Sequence, residues 1–138
     1  MKKLKIFLTA MAVLGMGVIA NSQIESILKA GGIALLVDRF GKDINKGVND
    51  LQGFKDSEAV MTKVVPILSV GAGGHIGAAQ VMGPPNLVNK VRAVGAIEGD
   101  FMGRTLRLRA LIPIESNDIK NIKRVVGVGV SAIIDIKI

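Results

Sequence analysis

The 138-residue chain has no cysteine, no tryptophan and no tyrosine, and only four phenylalanines. Without cysteine there is no disulfide, no thiol nucleophile, no cysteine-held metal and no cysteine for a lipid anchor, so burial of Val, Ile, Leu and Ala must supply the stability. Without Tyr and Trp the chain lacks the usual platforms for stacking on sugars or bases, and carbohydrate and single-strand binding lose ground. Charge is also missing over a long stretch. Residues 64–89 hold no Asp, Glu, Lys or Arg, and His75, the single histidine, is the only titratable side chain there.

What is present begins with an export signal. Lys2, Lys3 and Lys5 precede an uncharged apolar run at residues 6–20, and Ala20, Asn21 and Ser22 put small residues where a signal peptidase reads. The run is shorter than the ~20 residues that span a bilayer as a helix, which weighs against the alternative of an uncleaved membrane anchor. A buried first helix fits this succession less well. The expected location is therefore periplasmic or extracellular, with residues 1–22 as signal peptide and Gln23 as the mature start.

Removing the three lysines of that signal lowers the formal charge from +7 to +4. So mild an excess argues against a nucleic-acid partner. The excess is local: residues 23–63 balance six bases with six acids, whereas residues 90–124 set eight bases against four acids. One domain fits the mature length. It divides into a helical segment at 23–58 and a β-rich part at 59–138.

Ile24, Ile27, Leu28, Leu35, Phe40, Ile44, Val48 and Leu51 recur near helical spacing with charged residues between them. Gly31, Gly32, Gly41 and Gly47 make a helix pair or a kinked helix the expectation. From Thr62 onward Val, Ile and Gly alternate as in strands, expected at 63–70, 76–82, 91–98, 106–114 and 125–136. Asn89, Arg92, Val94 and Gly95 recur as Asn121, Arg124, Val126 and Gly127, where a helical turn enters a strand in both copies. The fold class is α+β: N-terminal helix or helix pair on an antiparallel sheet, with a duplicated β-α-β unit giving a ferredoxin-like sheet, or alternatively a partly closed antiparallel barrel. A hairpin turning at residues 101–104 would pair Glu98 with Arg107 and Ala96 with Arg109. Its other face, Ala93, Gly95, Ile97, Leu106, Leu108, Ala110 and Ile112, reads as core. In the last strand, small residues at Gly127, Gly129 and Ser131 predict close approach of the N-terminal helix or a second subunit.

No catalytic constellation stands out. The glycine loop Gly71, Gly73, Gly74, His75 and Gly77 is a candidate anion cradle, but it has neither the P-loop's Lys-Ser/Thr nor the dinucleotide spacing. His75 has no nucleophile motif beside it and no carboxylate between 59 and 97 to share a metal. Asp56 with Glu58, Glu98 with Asp100, and Glu115 with Asp118 have ordinary turn spacings. The basic cluster of Lys90, Arg92, Arg104, Arg107, Arg109, Lys120, Lys123 and Arg124 is the surface that charge singles out. Arg92, Arg109, Lys120, Lys123 and Arg124 are its candidates for an anionic ligand.

These features point to a small envelope protein with a structural, assembly or binding role, without catalysis, cofactor or metal, and with homo-oligomerisation expected. The alternatives are a binding module for a lipid headgroup or acidic polymer, and a hydrolase of unrecognised type. The processing expectation is checked by mass spectrometry of the exported protein. It should begin at Gln23, and an intact Met1 species as the main form would overturn it.

Overall fold

The computed structural model describes residues 21–69, 75–116 and 123–136, with backbone alone at 21–31, 75 and 76. The expected signal residues 1–20 and most of the glycine loop lie outside these ranges, as do Lys120 and the start of the second repeat copy. The fold is α+β: one helix packs on a curled, mixed five-stranded sheet, a half-barrel. In chain order the elements are α1 (Asn21–Gln52), β1 (Met61–Ser69), β2 (His75–Gly83), α2 (Pro85–Val88), β3 (Ala93–Phe101), β4 (Leu106–Ile114) and β5 (Gly129–Ile134).

All five strands fall where alternation places them, and α1 has the kink that its glycines predict. The break is at Gly32, whose φ of 71° is a left-handed conformation that glycine adopts without penalty. Beyond it, Ile33 and Leu36 are buried with Val37 and Phe40 beside them, and Ile136, just past the end of β5, packs against this stripe. The buried stripe differs from the periodic reading, which named Leu35 in place of Ile33 and Leu36 and included Leu51. Leu51 is exposed, because at this end the helix turns Asn45 and Asn49 toward the sheet instead.

Those amides enter a polar network that fixes the helix. Gln80 of β2 is fully buried; its Nε2 donates to Asn45 Oδ1 at 2.9 Å and to Asn49 Oδ1 at 2.7 Å. Its Oε1 accepts from Ser131 Oγ at 2.6 Å. Thr62 Oγ1 donates to Asp56 Oδ1 at 2.6 Å and accepts from Asn49 Nδ2 at 2.9 Å. Ser131 is the extra residue of a bulge in β5, since Gln80 faces Ala132 while Val81 faces Val130. The bulge turns the serine hydroxyl toward Gln80 and moves the strand's alternation by one residue.

The sheet order is β4-β3-β1-β2-β5, with β1 parallel to β3 and every other neighbouring pair antiparallel. The duplicated β-α-β reading does not describe this order. β2 and β3 flank β1 and run in opposite directions, and only residues 84–92 join them. A parallel crossover takes a dozen or more residues, so so short a link cannot return the chain for one. The outer strands β4 and β5 approach each other as the sheet curls. On the face opposite α1, Val65, Ile67, Val81, Val94, Val125 and Val128 pack with Val88 and Val91 into the main core.

The close approaches expected of the last strand are met by several elements. A side chain at Gly127 would stand 2.9 Å from Leu87 of α2, and Gln52 of α1 donates to the Ser131 carbonyl at 3.0 Å. Gly129 faces open space.

Replacing Gln80 with Met keeps the volume and removes the central partner of two amides and a hydroxyl. A buried polar group left unpaired costs about 1–3 kcal/mol. Urea unfolding should show a loss of at least about 2 kcal/mol for Gln80→Met, and a change below ~0.5 kcal/mol would show that the network does not hold the helix.

Candidate functional site

Two surfaces stand out, and the first is the β3–β4 hairpin. Its register runs from Ala93↔Ile114 to Phe101↔Leu106, with Glu98 opposite Arg109. The turn is residues 102–105 and not 101–104, because Met102, Gly103 and Arg104 all take left-handed backbone with φ of 57°, 64° and 76°. Each partner moves by two positions, which preserves the faces and exchanges the neighbours. Arg109 therefore does not stand free opposite Ala96. Its Nε donates to Glu98 Oε2 at 2.8 Å, and Arg107 Nη2 lies 3.5 Å from Oε1 of the same carboxylate.

The face expected to be core is core over only half its length. Ala93 and Gly95 are buried and Ile112 is half-buried, but Ile97, Leu106, Leu108 and Ala110 are exposed. The helix contacts β1 and β2, and nothing among the described residues covers this part of β3 and β4. With Phe101 at 52% and Met102 at 67% exposure, the distal hairpin has one apolar face and one of paired charges. Non-glycine residues at positive φ cost about 1 kcal/mol or more each, so the turn that presents Met102 is a strained one. The outer edge of β4 pairs only near its end, where Val125 N donates to Pro113 O and Glu115 N donates to Lys123 O. Over residues 106–112 no described strand pairs with it.

The basic candidates divide between the two ends of this hairpin. Arg92, whose N–H donates to Ile114 O, lies by the end of β4 that Arg124 bridges, and Lys123 Nζ is 3.3 Å from Glu115. Arg109 is five residues further along β4, about 17 Å at the rise of an extended strand. Of the glycine-loop candidates, Gly77 lies within β2, where a side chain would meet the Ile134 carbonyl at 3.2 Å. The backbone of His75 pairs with Leu68 beside an irregularity in the ladder. Gly71, Gly73 and Gly74, like Lys120, are outside the described residues.

The second surface is a cleft of about 970 Å³ between α1 and the amino-terminal half of β1. It exists because β3 pairs with β1 only from Ile67 to Ser69, leaving the edge of β1 before Ile67 without a ladder on that side. Lys63 reaches across this gap and donates to the Val91 carbonyl at 2.7 Å. Burial, and next the Arg92 guanidinium, hold the Lys63 ammonium below its ordinary pKa. Sequence reasoning missed Lys63, since an isolated lysine at a strand start gives no signal until the fold sets Arg92 beside it.

No family model, curated protein or solved structure matches this chain.

Arg109 lowers the Glu98 pKa, first by hydrogen bonding and then by its charge, and Arg107 adds to the effect. A depressed folded-state value means that the ion pair stabilises the hairpin above the ordinary carboxylate range and is lost as pH falls through the lowered value. A carbon-13 titration of the Glu98 carboxyl should have its midpoint below the ordinary glutamate range, and Arg109→Gln should move it back upward. A midpoint indifferent to that substitution would refute the pairing.

Proposed function

We propose that this is a non-catalytic protein of the cell envelope, exported to the periplasmic or extracellular side, which assembles with further copies of itself through the β3–β4 hairpin. The observation that supports this reading is the exposed apolar face of Ile97, Phe101, Leu106 and Leu108 on a hairpin whose outer edge has no partner strand among the described residues over 106–112. A long exposed edge with apolar side chains is a template for another strand. Charge favours a second copy over an anionic surface. Glu98 occupies both Arg107 and Arg109, and Asp100 lies 3.8 Å from Arg104, so little net positive charge is left on the hairpin.

Magnitude sets the strength of such an assembly. The exposed part of the two strands is about 17 Å long and 10 Å wide, a footprint of about 170 Å², whereas stable interfaces bury ~800 Å² per partner. The face alone is insufficient. Antiparallel pairing of β4 with β4 adds backbone hydrogen bonds, and the association stays reversible. Such pairing also brings arginines of the two copies together on the polar face, where Glu98 offsets their repulsion.

Light scattering over a broad concentration range should show a reversible monomer to oligomer transition. Leu108→Lys and Glu98→Gln should both move it to higher concentration, the first by removing apolar contact and the second by unmasking the arginines. A monomer throughout would overturn the assembly reading. If that monomer co-sediments with anionic vesicles in a salt-sensitive way, more strongly as Glu98→Gln and less as Arg109→Gln, the hairpin serves a membrane surface instead.

A further inference from the structure

The cleft beside β1 is lined by four basic side chains, Arg39, Lys42, Lys63 and Arg92, and none of them forms an ion pair among the described residues. The ion pairs among the described residues join Arg104 to Asp100, Arg107 and Arg109 to Glu98, and Lys123 to Glu115; neither Lys63 nor Arg92 takes part in one. Of its three ammonium donors Lys63 uses one, on the Val91 carbonyl. Among the described residues the exposed Arg92 side chain has no hydrogen-bond partner, so its planar fork of donors is open. The cleft's two carboxylates are placed differently. Asp56 is engaged by Thr62 and Asn49, and Asp38 is exposed on α1, in the cleft's opposite wall.

We propose that this cleft binds a phosphate monoester, with the phosphoryl group between Lys63 Nζ and the Arg92 guanidinium and the organic part between Val37 of α1 and Pro66 of β1. Lys63, half-buried, and the exposed Arg92 repel each other, and a group bearing about −1.5 to −2 charges offsets both where a single carboxylate offsets one. The guanidinium receives two phosphoryl oxygens in parallel, and the ammonium acts as a point charge on the third. The volume suits a small ligand, because pockets for such molecules run from ~300 to 1,000 Å³. Arg39 and Lys42 of α1 add positive charge at the same cleft. The site lies apart from the hairpin, so its occupation and the assembly reading stand or fall separately.

Inorganic phosphate and glycerol phosphate titrated into isotope-labelled protein should shift the amide signals of residues 63 and 91–92 saturably, and leave those of 97–110 unmoved. Lys63→Met and Arg92→Gln should each weaken binding by on the order of tenfold or more, as expected for loss of a charge-assisted hydrogen bond, while Arg109→Gln leaves it unchanged. Vesicles containing phosphatidate, whose headgroup is a phosphate monoester, separate the two sources. Binding to vesicles with little response to soluble esters identifies a lipid headgroup, and the converse a free ester. Shifts spread over all basic residues, or no saturable shift with either probe, would overturn the proposal even if a variant fails to fold, because this measurement uses the unaltered chain.

Discussion

The rest of this structure depends on the hydrogen bonds between α1 and the sheet around Gln80. A fully buried amide surrounded by Val and Ala would be strongly destabilising if unpaired, yet here both of its ends are occupied, by two asparagines from the helix and a serine from β5. Apolar packing at Ile33 and Leu36 brings the helix to the sheet but tolerates sliding. Directional bonds from Asn45 and Asn49 do not. Such bonds require one rotation and one axial position, and the bulge at Ser131 is part of the same arrangement.

Once the helix is fixed over β1 and β2, the character of the other surfaces follows. The distal half of the hairpin lies beyond its reach, so residues patterned like a core face remain open to solvent. On the nearer side, the short parallel pairing of β1 with β3 leaves a gap that the helix roofs without filling. The unpartnered apolar face and the basic cleft therefore share one origin, the limited area that a single helix can cover on a five-stranded sheet.

Electrostatics then distinguishes these surfaces. On the hairpin, one carboxylate serves two arginines, and the polar face comes close to neutral. At the cleft, Lys63 and Arg92 have no acidic partner among the described residues, and partial burial makes that arrangement costly for the lysine's charge. The sequence by itself ranks Arg109 among the free bases and passes over Lys63. Their different partners give them different chemistry.

Local pattern was sufficient for the elements themselves. Alternation located all five strands and the glycines of α1 announced its kink, because each of these depends on neighbours within a few residues. Face assignment in the hairpin was equally legible, since alternation survives an even shift of register. Which residue stands opposite which was not: the left-handed run at Met102, Gly103 and Arg104 decides it, and two of those residues are types that rarely adopt such backbone. Nor could the pattern tell that Ile97 and Leu108 lack a cover, that Asn45 and Asn49 point inward while Leu51 points out, or that Lys63 meets Arg92. Composition and periodicity along this sequence determined helices, strands and their apolar faces, because those follow from local backbone geometry and water's rejection of apolar surface. Strand order, the reach of the helix and the pairing of charges were decided only by the tertiary structure, because they join residues far apart in the chain, and only the folded arrangement sets which of them meet.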